Sequence, residues 1–350
     1  MGKILKTSVD LLKIKAAYFI FIITITPFYA QGNQMDLFSW FPTESADARY
    51  PTQIIKGDFL FSDGSSIYIP NKRVISNGWG NIGSIHLVGK KDKPVPDKLR
   101  ITWLSFTENI FYSGMFDLPT EKIASMFRKG FLGPVTESHE TYGKIIVGLG
   151  LEGWISVWLG GGGIVHEAAI FRANPAEIEW SLVTNNRELS REKYIKRVLL
   201  EYFKAEEIQK IEKAGPEKGV WEKYLERLPW NIVTRGTSTP LNMWLRTFNG
   251  ERVYYDLIRN KLVEENRSVP KEMEIAWQNP TGQKYKAHIV MNEQEIMRAF
   301  EKIFSIKEKG PVRFIIEIGN QPKSIALSIR NDHYVIVLEK YGQNIFANSR

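Results

Sequence analysis

Two ten-residue stretches of the chain carry the same alternation of apolar and polar positions. In PVPDKLRITW, residues 94–103, Leu99, Ile101 and Trp103 alternate with Arg100 and Thr102. In SVPKEMEIAW, residues 268–277, Met273, Ile275 and Trp277 alternate with Glu274 and Ala276. A period of two predicts a strand with one buried face. The interval from Pro96 to Trp103 equals that from Pro270 to Trp277, and the likeness continues downstream. Each stretch runs into a polar turn (105–109, 279–283) and then a second strand (110–116, 284–290). A helix follows in each. Residues 118–131 put Ile123, Met126 and Phe127 on one face, and 292–304 put Ile296, Ala299, Phe300 and Ile303 there. Asn292, with Glu295 as its capping-box partner, marks the second helix start. Three more strands close each series: 144–150, 154–160 and 166–172 in the first, 313–319, 324–330 and 334–340 in the second. Upstream, Asp63-Gly64 and Asn249-Gly250 are hairpin signals. The interval from Gly64 to Pro96 is longer than that from Gly250 to Pro270, so the first series carries an insertion containing ISNGWGNIGSIHLVG (75–89).

The fold class expected is α+β: two related units, each an antiparallel sheet with one packed helix, joined by a helical connector. The first unit spans 31–180 with its inserted loop, the connector 181–243 and the second unit 244–350. Within the connector, Tyr194, Ile195, Val198, Leu199, Tyr202 and Phe203 form an apolar stripe after a Ser190 cap, and Gly215-Pro216 ends the helical run. Residues 216–243 pattern less regularly.

Composition adds location. The 43% hydrophobic content is ordinary for a globular protein and enough for a sizeable core. The first thirty residues differ. Lys3, Lys6, Lys13 and Lys15 precede an apolar run at 16–30, ending in Ala30. This is the pattern of a secretory signal peptide, 1–30, cleaved after Ala30. Phe28 stands where a small residue is usual, and an uncleaved membrane anchor is the alternative. The chain has no cysteine, so it forms no disulfide and takes no lipid on an N-terminal cysteine; Gln31 stands there instead. A periplasmic or secreted protein is expected. The formal charge of +8 falls once the lysines of 1–30 are removed. The lysine-rich run 89–100 has no interleaved aromatics, which reads as a solvated loop rather than a nucleic-acid or lipid surface.

Catalytic and metal motifs are sparse. His86, His139, His166, His288 and His333 are scattered, and His166-Glu167 is followed by Ile170 where a zinc helix needs histidine. No metal site or cofactor is expected. Gly160–Gly163 lacks the lysine of a phosphate loop and reads as a hairpin. Glu108 is the strongest single carboxylate, in a strand turn beside Ser105 and Tyr112. The tryptophans carry more. On 154–160, Ile155, Val157 and Leu159 form an aliphatic face, while Trp154, Ser156 and Trp158 form the other. The matching strand 324–330 repeats the aliphatic face but has Ser324, Ala326 and Ser328 opposite. The indole face either packs against other segments or forms a platform for a sugar or protein. Trp79, in the inserted loop, is a second binding candidate.

The sequences ITWLSFTENIFYSGMFDLP (101–119), NGWG (77–80) and GLEGWISVWLGG (150–161) resemble a bacterial exported and lipoprotein family of uncharacterised role, domain of unknown function 2931. The likeness covers residues 36–180 and rests on a Trp-x-Ser-x-x-Glu block, here Trp103, Ser105 and Glu108. The resemblance implies an exported protein. For members beside secreted phospholipase toxins, it implies a neutralising (immunity) role. The chain departs from the lipoprotein pattern in lacking the lipid-bearing cysteine. The function expected is that of an exported, non-enzymatic interaction protein binding a protein partner, a secreted toxin being one version. Its candidate residues are Trp79, Trp103, Ser105, Glu108, Tyr112, Trp154 and Trp158. A glycan-binding module using the indoles and a hydrolase using Glu108 are the alternatives. Membrane contact is expected only through an uncleaved signal segment.

Overall fold

The alternating stretches form the strands Lys98–Ser105 and Pro270–Gln278, with Leu99, Ile101 and Trp103 and then Met273, Ile275 and Trp277 buried. The structure is a computed structural model. It describes residues 36–348 apart from 88, 185, 187, 261, 308–309 and 320–324. The expected signal peptide lies outside the described residues. From Asp36 onward the chain groups as one contact unit. It is an α+β fold, mostly strand, with helices at Thr120–Lys129, Arg191–Tyr202, Ala205–Ala214, Val220–Leu225 and Glu293–Ser305.

Three large sheets hold most of the strands. In the first, Asn174–Ala176, Ile110–Asp117, Lys98–Ser105, Thr52–Leu60 and Ser66–Tyr68 follow one another, and Val74–Ile75 also pairs with Thr52–Leu60. The second runs Phe41–Ser45, Lys144–Leu149, Trp154–Gly161, Ile164–Arg172, then Arg252–Asp256, Thr239–Thr247, Pro270–Gln278, Lys284–Met291 and Tyr341–Asn348. The third runs Glu265–Arg267, Leu228–Arg235, Val312–Ile318, Ile325–Arg330 and Val335–Leu338. The pairing order is the same in both halves. Phe41–Ser45 lies parallel to Lys144–Leu149, and Leu228–Arg235 lies parallel to Val312–Ile318. Two antiparallel neighbours follow in each case. The remaining strands of each half form an antiparallel meander. The halves meet where Val165 pairs with Arg252, and the nine-stranded sheet crosses that point.

Several features depart from the sequence pattern. The two parallel pairings were not expected. The stretch 216–243 contains a helix and the strand Leu228–Arg235, and it enters Thr239–Thr247. Its alternation is real, with Trp230 and Ile232 buried, but Pro229 and a register shift near Pro240 hide it. The run 188–215 is two helices, because Phe203 and Lys204 take extended conformations between them. The helices Thr120–Lys129 and Glu293–Ser305 bury Ile123, Ala124 and Phe127, and Ile296, Ala299, Phe300 and Ile303.

The core has three parts. One centres on Trp103, Phe127 and Val157, another on Trp277, Phe300 and Phe314. The smallest lies under the connector, where Ile195, Val198, Leu199 and Ile208 meet Leu104, Phe106 and Phe111. The inserted loop is drawn into the core at Gly78–Gly80, while Ile82, Ile85 and Leu87 stay exposed. The Gly78 N–H donates to the Ala46 carbonyl (2.8 Å), and Trp79 enters the core edge-on against Trp158 (4.8 Å) and Trp221 (5.2 Å). Gly80 stands at φ +76 so close to Gly250 that a Cβ would lie 2.2 Å from its carbonyl oxygen. Only glycine permits that approach.

Candidate functional site

The turn after Lys98–Ser105 carries Phe106, Thr107, Glu108 and Asn109. Asn109 takes the left-handed conformation at φ 54, which asparagine tolerates. Arg191, at the start of the connector helix, donates from Nε to Asn109 Oδ1 (2.8 Å), and its guanidinium lies over the Phe111 ring (4.7 Å). The Ser190 side chain caps the same helix by accepting from the Lys193 N–H. These contacts fix the connector beside the turn and leave a cleft of about 630 Å³ between them.

Leu151, Ile195, Leu199, Ile211 and Phe106 give the cleft an apolar lining. Glu108, Glu152, Glu192, Glu212 and Glu217 also line it, against two cations, Lys196 and Lys218. A cleft of net negative sign on a basic chain attracts cations, and its apolar walls strengthen that field. Glu108 is one of these lining residues. Its Oε1 accepts from the Tyr112 hydroxyl (3.0 Å) and from the Glu152 N–H (2.9 Å). Its Oε2 is buried without a partner, as is Thr107 Oγ1, whose residue is 5% exposed. Burial, followed by the charge of Glu108, pushes the Tyr112 hydroxyl well above the ordinary tyrosine value, so it stays a hydrogen-bond donor.

Glu152 is the residue that sequence reasoning missed. It adopts φ 55, ψ 26, a left-handed conformation costly for a side chain that is not glycine. Three contacts hold it: its N–H to Glu108, the Gly219 N–H to its Oε2 (2.8 Å), and Arg172 Nε to its carbonyl (3.1 Å). The flanking Gly150 and Gly153 were the available sign of a special backbone.

The other sequence-chosen residues are apart from this cleft or sealed beneath it. Trp103 and Ser105 are fully or nearly fully buried, Ser105 pairing in register with Thr52. Trp79 and Trp158 are core, and Trp158 Nε1 donates to the Asn249 carbonyl (3.1 Å). Trp154 is half-buried under the Arg172 guanidinium, 5.0 Å from its ring. Of the two readings of the indole face, Trp158 follows the packed one and Trp154 is half-buried, so the pair does not form an open platform. The second half packs over that face of the strand, and the inserted loop fills the remainder.

Where the halves meet, a second charged cluster joins two largely buried carboxylates to a surface arginine. Arg227 reaches both Glu167 (3.3 Å) and Glu251 (2.9 Å), and Asn249 donates to both carboxylates. Burial, with Glu251 nearby, pushes the Glu167 carboxyl up to about 7. Burial opposes ionisation of Glu251 too, but Arg227 and the Glu167 N–H keep it below the ordinary value.

A family model described as "Protein of unknown function (DUF2931)" matches residues 29–219, more than half of the chain. The chain belongs to that family. All the residues lining the cleft, from Phe106 to Lys218, fall inside the DUF2931 segment, whereas residues 220–348 lie beyond it. No curated protein and no solved structure matches the chain.

Proposed function

We propose that the protein is an exported, non-enzymatic binding protein, periplasmic or secreted. Its cleft beside Glu108 receives a basic side chain of a protein partner. The observation that carries this reading is the pairing of an apolar lining with five carboxylates against only two lysines. Lysine and arginine have an apolar stem ending in a cation, and that shape matches such a cleft. Neutralisation of a secreted toxin is one version of this role. A glycan platform has no exposed indole pair to build on. A hydrolase reading gains little, because both Glu108 Oε1 and Glu152 Oε2 are occupied by internal donors. The shared pairing order of the two halves supports reading them as related copies, and the cleft beside Glu108 is formed by the first half and the connector.

The test is calorimetric titration with hexylguanidinium, a mimic of the basic side chain, and with hexyl sulfate as its anionic counterpart. Binding of the cation alone, weakened about tenfold by Glu108→Gln, is the expected result. Equal binding of the two, or none of the cation, contradicts the proposal.

A further inference from the structure

In the first half, strand Ile164–Arg172 does not end its sheet. Val165 pairs with Arg252 of the second half and is 6% exposed. The strand in the corresponding position of the second half is Val335–Leu338, which pairs with Ile325–Arg330 as Ile164–Arg172 pairs with Trp154–Gly161. Among the described residues nothing pairs with its outer side. Tyr334, Val335 and Val337 are 43%, 57% and 62% exposed. The strand itself, Val-Ile-Val-Leu, has no charge, proline or bulge. Its four residues make it a short edge, one of the common guards, but an apolar edge without charge, proline or bulge is open to another strand.

The counterpart of Arg252–Asp256 in the first half is Ser66–Tyr68, which follows Asp63-Gly64 as Arg252–Asp256 follows Asn249-Gly250. It too is the outer strand of its sheet. Tyr68 is 42% exposed, and its hydroxyl meets His86 Nδ1 at 3.2 Å. That contact brings up a loop in which Ile82, Ile85 and Leu87 are all exposed.

We propose that a second copy of this chain docks here, with Val335–Leu338 of one molecule pairing with Ser66–Tyr68 of the next. The contact repeats between molecules the junction that Val165 and Arg252 make within one. The proposal rests on reading the halves as related copies and does not involve the cleft. Each molecule offers one edge of each kind, so the association is head-to-tail and propagates as a ring or a filament.

Sedimentation velocity of the chain from Asp36 onward, across rising concentration, tests this. Wild type should grow into oligomers. The double variant Val335→Lys, Val337→Lys and the separate variant Tyr68→Lys should each remain monomeric. Their equimolar mixture should form a dimer and stop there, because each supplies the edge the other lacks. These side chains are exposed, and the dimer in the mixture is itself proof that both variants fold. Wild type that stays monomeric at every concentration overturns the proposal. So does oligomerisation that only the 335/337 variant abolishes, which indicates two-fold pairing of like edges.

Discussion

Glu108 joins three backbone segments through one carboxylate: the 106–109 turn, the Tyr112 strand and the strained Glu152 turn. Removing it leaves the buried Tyr112 hydroxyl and the Glu152 N–H without an acceptor. Glu108→Ala should therefore lower unfolding stability by about 2–3 kcal/mol, measured in urea. Glu108→Gln keeps an acceptor at that position and should lose much less, so binding and stability effects can be separated. Gly148 gives a contrasting case. A Cβ there would sit 2.2 Å from the Trp158 ring, and the indole is locked against Trp79 and Asn249. Gly148→Ala should cost about 3 kcal/mol and lower the melting temperature with no direct effect on the cleft. At this scale the sequence identified residue types better than their surroundings. Glu108 and Tyr112 were legible from their place beside a turn. Trp79 and Trp158 were not, because an indole in a loop or on the second face of a strand reads alike whether it meets solvent or another segment.

Strands with clean alternation, such as Lys98–Ser105 and Pro270–Gln278, could be read directly, since one face is buried and the other is not. The parallel pairs could not, because parallel partners lie far apart in sequence and leave no local turn signal. The connector was legible as helical but not as a cleft wall, since only tertiary packing sets Ile195 and Leu199 opposite Phe106. The junction between the halves should respond to pH. The Glu167 carboxyl, raised by burial, holds its proton in the folded state up to about pH 7 but loses it near the ordinary glutamate value when unfolded. Its stabilising contribution is thus present below that ordinary value and is lost as pH rises through about 7. The loss amounts to about 3 kcal/mol at most. His166, whose value burial lowers, acts in the opposite sense over part of the same range. Arg227 stays charged throughout, and Glu251 titrates lower. The comparison is therefore between wild type and Glu167→Gln. In urea unfolding on the acid and alkaline sides of neutrality, the stability advantage of wild type over the variant should shrink as pH rises. A constant difference would contradict the assignment.

Over the whole molecule, the family segment and the cleft coincide. The walls of the cleft come from the turn, the Glu152 segment and the connector, all within residues 29–219. The Asn249-Gly250 turn of the second half and Trp79 of the inserted loop close over Trp158, while Arg172 covers Trp154. The central claim is that the cleft beside Glu108 accepts a cation on an apolar stem. The most direct measurement is chemical-shift mapping of the assigned protein during titration with hexylguanidinium. The account predicts saturable shifts confined to Thr107–Asn109, Leu151–Glu152 and the 211–218 segment. Shifts centred elsewhere, or none at saturating cation, would contradict it.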